Sequence, residues 1–174
     1  LSAFNEHCLQ NLWKGLISQK MQEIAYFHGV VFECQGRGIL ITGASGIGKT
    51  TSALLLVKEG SYWIADDIAV VKRNQRGELI ARGHAKIKNL LHTKETGIVP
   101  VKKILDSNRI KKQTTLAGII EVRKAGVSRF SLDSRETEIL GTKLPCVQVK
   151  IPSSGYFDKN LLKKSFSSLK RTVE

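Results

Sequence analysis

No apolar run in the chain approaches the roughly 20 residues that a membrane-spanning helix needs, so no span and no membrane partner are expected. The first 20 residues mix His7, Glu6 and Lys14 among apolar positions. They lack the basic-then-apolar layout of a secretory signal. Cysteine is scarce: Cys8, Cys34 and Cys146 are odd in number and widely scattered. That excludes a disulfide framework and a cysteine metal site, and points to the reduced cytoplasm. Methionine occurs once, at Met21. Residues 1–22 are therefore read as an N-terminal extension helix, and residues 23–174 as one domain, long enough for a sizeable core. No internal repeat or low-complexity tract is present. Acidic residues are also in short supply, 15 against 28 Lys and Arg, which leaves a net charge of +13. Such a surplus suits phosphate-rich or acidic partners. Yet the basic residues are dispersed, as in Lys72-Arg73, Lys102-Lys103 and Lys163-Lys164. With no paired Cys/His finger and no basic block interleaved with aromatics, nucleic acid is not the expected partner.

What the chain does have is one stretch around which the rest is arranged. The apolar run Gly38-Ile39-Leu40-Ile41-Thr42 leads into Gly43, Ala44, Ser45, Gly46, Ile47, Gly48, Lys49, Thr50 and Thr51. The helical pattern Ala53-Leu54-Leu55-Leu56-Val57 follows. Strand, glycine-rich loop and helix in that order fit the phosphate-binding loop G-x-x-x-x-G-K-[ST]. Its glycines let backbone N–H groups approach a polyphosphate without a Cβ in the way. The helix N-terminus presents unpaired N–H groups and the positive end of its dipole. Lys49 is expected to meet the outer phosphates, and the Thr50 hydroxyl to ligate Mg²⁺.

The remaining pattern predicts a mixed α/β sheet. Ile24–Glu33 reads as a strand carrying His28-Gly29, and it forms a hairpin with Gly38–Thr42 across Gln35-Gly36-Arg37. The loop helix is expected to end near Lys58-Glu59, with Gly60 just past it. Tyr62–Val71 reads as an apolar strand interrupted by two carboxylates, Asp66 and Asp67. Taken alone, these suit either a solvated strand end or a metal and general-base pair. Asn74–Gly77 reads as a turn before a strand over Glu78–Ala81, and Lys86–Leu91 as a short helix. Thr96–Val101 is another apolar stretch. Ala117–Val122 and Leu144–Ile151 read as strands. Pro152-Ser153-Ser154-Gly155 breaks the pattern, and Phe157, Leu161, Leu162, Phe166 and Leu169 then mark an amphipathic C-terminal helix.

In order, these pieces resemble the catalytic domain of HPr kinase/phosphorylase, in a short form without that family's N-terminal domain. The likeness is carried by His28-Gly29, by Gly36-Arg37-Gly38 through Thr50, and by Trp63-Ile64-Ala65-Asp66-Asp67. Leu90–Ile98, Ser128-Arg129 and Ile139–Pro145 continue it. The resemblance implies a fold akin to phosphoenolpyruvate carboxykinase. It implies a serine kinase that uses ATP or pyrophosphate on the phosphocarrier protein HPr, and a phosphorylase that reverses the reaction with inorganic phosphate. It places Asp66 as general base, Thr50 and Asp67 on Mg²⁺, Lys49 on the phosphates, His28 beside the Asp pair and Arg129 on the transferred group. It further implies a cytoplasmic hexamer.

The likeness is uneven. His92 stands where the family has a Glu, and histidine is a poor hard-oxygen substitute at Mg²⁺. Lys94-Glu95 replaces an Arg-Gly, and lysine cannot make a two-pronged phosphate contact. Ala44 replaces an acidic loop residue, and residues 152–155 carry no arginine. Phosphate binding is thus expected to be well kept, and the acceptor end altered. A kinase of the same fold acting on another hydroxyl, and a nucleotide-sensing module without catalysis, are the alternatives. The intact Asp pair speaks against the second.

Overall fold

The computed structural model describes residues 24–93 and 97–171. The proposed extension, residues 1–22, lies outside the described residues.

Strand β1 (Ile24–Cys34) and strand β2 (Arg37–Gly43) form the expected hairpin, antiparallel from Gly29↔Thr42 to Cys34↔Arg37. Helix α1 (Lys49–Lys58) follows the loop. Its last carbonyls are met by the N–H groups of Glu59, Gly60 and Ser61, with Gly60 at φ 118°. Strand β3 (Tyr62–Ala65) and strand β4 (Ile68–Arg73) are both antiparallel to β1. β3 pairs with the second half of β1 and β4 with the first half, so the Asp66-Asp67 bend interrupts what would otherwise be one strand. The Asn74–Gly77 turn is held by the Asn74 side chain, which accepts N–H bonds from Arg76 and Glu78 at 2.9 Å each. It leads into β5 (Leu79–Gly83).

Residues 85–89 form turns, and Leu90 already begins β6 (Leu90–Thr93), which pairs with β7 (Gly97–Pro100) in a separate two-stranded hairpin. The expected helix over Lys86–Leu91 is therefore corrected to a turn and a strand. Leu91 is buried in the main core and Leu90 is partly exposed, the alternation of a half-buried strand. Two short 3₁₀ turns, Val101–Lys103 and Ser107–Arg109, precede β8 (Gln113–Ala125), β9 (Ser131–Ile139) and β10 (Thr142–Pro152). Helix α2 (Lys159–Arg171) ends the described chain.

The sheet is mixed. β8 runs parallel to both β2 and β10, and the other pairings are antiparallel. The pairings also run in a ring, from β1 to β2, β8, β5, β4 and back to β1. Strand alternation then sorts the apolar residues into two cores. Val31, Leu40, Ala69, Val71, Ala81 and Leu116 cluster together on the ring strands. Phe32, Ile39, Ile41, Ile120, Val122 and Val149 belong to the other cluster, with Ala53, Leu54 and Val57 of α1 and Leu162, Phe166 and Leu169 of α2. Both helices thus lie on one face, and the C-terminal helix buries its apolar stripe in its own domain. Burying a Leu or Phe side chain is worth about 1.5–3 kcal/mol. The five apolar side chains predicted to mark the helix, from Phe157 to Leu169, are all buried and so anchor it firmly.

Candidate active site

The loop between β2 and α1 has the backbone its glycines were expected to supply. Gly43, Gly46 and Gly48 have φ of 143°, 72° and 112°. No acidic residue occupies the first turn of α1, so its positive end is free to meet an anion. Gly48 has a second reason to be glycine: a Cβ there would sit 2.2 Å from the Phe157 carbonyl oxygen. The segment leading into α2 passes directly beneath the loop. Phe157 N–H donates to the Ile47 carbonyl at 2.9 Å, and Ser52 Oγ donates to the Phe157 carbonyl at 2.8 Å. The phosphate cradle is therefore clamped by chain more than 100 residues later, a contact that no local pattern foretells.

Lys49 is buried, and its Nζ donates to the Gly43 carbonyl at 2.8 Å and the Ala44 carbonyl at 2.9 Å. Burial pushes its ammonium below the usual range, while the charges of Asp66 and Asp67 work against that push. The two carboxylates thus help to keep the cation charged.

The Asp pair sits at the broken strand for a structural reason. Asp67 takes φ 61°, a left-handed conformation that aspartate tolerates better than most residues. Its carbonyl accepts the Gly29 N–H at 3.0 Å, and Ile68 N–H donates to the Asp66 carbonyl at 2.7 Å. The bend is thereby tied to His28-Gly29. Gly29 itself is required, since a Cβ there would come within 2.3 Å of the Ile41 carbonyl oxygen. Asp66 is buried and accepts a bond from Thr50 Oγ1 at 2.9 Å, while Asp67 is half-buried.

His28, the loop residues Ser45, Gly46 and Gly48, Lys49, Thr50, Thr51, Asp66 and Asp67 all border one cavity of 480 Å³, whereas the predicted loop residues Gly43, Ala44 and Ile47 do not line it. The sequence reading placed these residues in one site, and the fold brings them together. Arg129 is different. It is exposed in the β8–β9 connection and does not line this cavity. The His92 side chain and Lys94–Thr96 lie outside the described residues. The reading missed Leu55, Tyr156, Asp158 and Lys159, which also border the cavity. Asp158 could have been found as a helix N-cap, since its Oδ1 accepts the Leu161 N–H at 2.8 Å. Its place beside the loop could not. A more open concavity of 980 Å³ near the β4–β5 turn is lined by Lys72, Arg73, Arg76 and Arg82 and holds none of the predicted site residues.

A hard divalent cation fits the donor set: a threonine hydroxyl bonded to a buried aspartate, with a second carboxylate adjacent. Among the described residues no cluster of three or more His, Cys, Asp or Glu side chains forms an all-protein metal site. That suits Mg²⁺, which is commonly held by one or two carboxylates together with substrate phosphates.

Comparison with known proteins gives the family. The family profile described as HPr Serine kinase C-terminal domain matches residues 19–158. The HPr kinase/phosphorylase of Prosthecochloris aestuarii is 30% identical over 139 residues, covering 78% of this chain and 41% of the relative. That of Malacoplasma penetrans is 30% identical over 148 residues, 82% of this chain and 49% of the relative. The chain thus spans about half or less of the length of these relatives. The solved structure of the Hpr(Ser) kinase/phosphatase from Coxiella burnetii superposes with a TM-score of 0.72 at 20% identity, covering 86% of this chain and 98% of that one. It shows the shared fold. The chain belongs to the HPr serine kinase C-terminal domain family.

Proposed function

We propose that this chain transfers a phosphoryl group from ATP or pyrophosphate to a serine hydroxyl of HPr, and that it runs the reverse reaction with inorganic phosphate. The observation that carries the reading is the meeting, around one cavity, of the glycine loop, Lys49, Thr50 and the Asp pair. Family membership supplies the acceptor class.

Phosphoryl transfer asks a protein chiefly for positioning and charge neutralisation. The loop N–H groups and the N-terminus of α1 hold the phosphates, and Lys49 adds a cation from inside the loop. Thr50 and Asp67 would hold Mg²⁺, which would neutralise phosphate charge. Asp66 takes the proton from the incoming serine hydroxyl as the oxygen–phosphorus bond forms. In reverse, an oxygen of inorganic phosphate attacks the phosphorus of phosphoserine and gives its proton to Asp66; the bond from phosphorus to the serine oxygen breaks, pyrophosphate is formed, and Asp66 passes the proton to the serine oxygen. His28, on the strand tied to Asp67, borders the same cavity as the pair. Arg129, which the family resemblance puts on the transferred group, is exposed in the β8–β9 connection and does not line this cavity. HPr is the partner, a homo-oligomer (a hexamer, as the family resemblance implies) the assembly, and the cytoplasm the place of action.

One distance favours a second division of labour. Thr50 Oγ1 bonds Asp66 rather than Asp67, which makes Asp66 the natural companion of Thr50 at Mg²⁺ and the half-buried Asp67 the base. Mg²⁺ titration of pyrophosphate binding separates the two. If Asp67 holds the metal, Asp67→Asn raises the Mg²⁺ requirement and Asp66→Asn does not; the opposite result assigns the metal to Asp66.

The decisive experiment is a phosphotransfer assay with Mg²⁺, ATP or pyrophosphate and HPr, beside Asp66→Ala. Serine phosphorylation that vanishes in the variant supports the reading. Saturable nucleotide binding with no transfer to HPr overturns it, and leaves another hydroxyl acceptor or a nucleotide sensor.

A further inference from the structure

The loop and Lys49 account for only one end of the 480 Å³ cavity. The other end is lined by Leu55, Tyr156, Asp158 and Lys159. Leu55 lies one helical turn beyond Thr51, on the same face of α1. It is 41% exposed, and Tyr156 is 67% exposed. Two large apolar side chains left open to water at one end of a phosphate-binding cavity call for an occupant with a flat apolar face. The backbone beside Tyr156 is held in place. The residue after Tyr156 is locked to the loop by the Phe157–Ile47 and Ser52–Phe157 hydrogen bonds. On its other side, Lys124 Nζ lies 5.5 Å from the Tyr156 ring centre while donating to the Ser153 carbonyl at 2.8 Å.

We propose that Tyr156 and Leu55 form a stacking platform for the base of a nucleoside triphosphate, and that this platform reads the base by its face rather than its edge. The polar side chains at this end are already engaged. Asp158 caps the first turn of α2, and Lys159 pairs with Glu59 at 2.5 Å. Stacking on an aromatic ring is tolerant of base identity, because every base has a π-face. ATP and GTP therefore bind alike, and pyrophosphate, which has no base, is indifferent to Tyr156. The inference rests on the proposed phosphate role of the loop and adds the donor class that the site selects.

The test is equilibrium binding of ATP, GTP and pyrophosphate, with Mg²⁺, to the unaltered chain and to Tyr156→Ala, Tyr156→Phe and Lys49→Ala. Tyr156→Ala is expected to weaken ATP and GTP by about tenfold, within the range seen for single stacked bases, and to leave pyrophosphate unchanged. Tyr156→Phe should bind as the unaltered chain does. Equal loss for ATP and pyrophosphate in Tyr156→Ala, or no loss for either, overturns the platform. A several-fold preference between ATP and GTP overturns face reading. A separate result, pyrophosphate binding that is insensitive to Lys49→Ala, would instead overturn the phosphate role of the loop. Tyr156 is exposed, so its replacement leaves the core intact; thermal melting checks this.

Discussion

The Asp pair borders two regions built in opposite ways. On one side is the glycine loop, which we propose as the phosphate cradle, made mostly of backbone and cross-braced by the chain before α2. On the other is a recess of 60 Å³ lined by Asp66, Asp67, Ile87, Leu90, Leu91 and Ile98, where the β6–β7 hairpin stands apart from the main sheet. The first region admits almost no change, because glycine φ angles and carbonyl contacts fix it. The second exposes apolar side chains, Leu90 at 37% and Ile98 at 69%. A phosphate is the same in every donor, so its site can be rigid. An acceptor protein differs between systems, so its site can vary in side chains without disturbing the fold.

The largest expected effect is at the boundary between the two. Asp66→Asn should lower phosphotransfer to HPr by about 10³-fold, the scale of a lost general base. Pyrophosphate should still bind, because the cradle is intact. A rate assay alongside a binding titration checks both. If binding and rate fall together, Asp66 belongs to the cradle and not to the chemistry.

Breaking the cradle comes next. Gly48→Ala places a Cβ against the Phe157 carbonyl at positive φ and should cost about 3 kcal/mol of stability. Gly36→Ala is the control. Gly36 also has positive φ, at 74°, but nothing lies within 4 Å of the added atom. It should cost about 1 kcal/mol, the conformational penalty alone. Ser52→Ala removes only the buried bond to the Phe157 carbonyl and should cost about 1–2 kcal/mol. Urea unfolding ranks the three. Equal losses at Gly48 and Gly36 would show that the Phe157 contact contributes nothing.

The reach of the sequence follows the same division. Several elements held by local geometry were legible: the β1–β2 hairpin, the loop, the end of α1 at Gly60, and the carboxylates breaking a strand. What depends on contacts between distant residues was not. β9 was missed because Ser131–Ile139 offers no apolar face; all but Ile139 are polar or at least partly exposed. It is held instead by its full register with β10 and by ion pairs such as Lys150–Asp133 at 2.8 Å and Arg135–Glu121. Lys86–Leu91 misled because two leucines beside lysines suit a helix as well as a strand. Pairing of Leu90 with Pro100 and Leu91 with Val99 decided for the strand. The ring closure of the sheet, and Tyr156 at the cavity, likewise need the tertiary structure.

A brace outside both regions sharpens the contrast. Glu33 is buried and accepts bonds from Lys111 Nζ at 2.6 Å and Thr114 Oγ1 at 2.7 Å. Burial alone would raise its pKa, but these two hydrogen bonds and the Lys111 charge outweigh it and leave the carboxyl below its ordinary range. A depressed carboxyl stabilises the fold above its unfolded pKa, and that stability is lost as pH falls through the folded value. Glu33→Gln should therefore be less stable by about 1 kcal/mol at neutral pH. The gap should begin to narrow at about pH 4.3, where the unfolded carboxyl takes up its proton, and close as pH falls through the lower folded value. Pyrophosphate binding at pH 7 should not change. A gap that persists unaltered in acid would mean that packing, not charge, holds this end of β1.

The smallest effect on stability is expected where the largest freedom lies. Ile98 is mostly in water, so Ile98→Ser should change unfolding free energy by no more than about 0.5 kcal/mol. Its side chain nonetheless borders the recess that holds both aspartates. On the proposed reading, an acceptor protein presenting its serine to Asp66 would come close to the β6–β7 hairpin and cover that surface. Losing one partly buried apolar contact of about 1 kcal/mol corresponds to roughly a fivefold rise in KM for HPr. The turnover number and the affinity for pyrophosphate should stay where they were. A variant that loses pyrophosphate binding instead would join the hairpin to the cradle, and the division between a rigid phosphate end and a variable acceptor end would no longer hold.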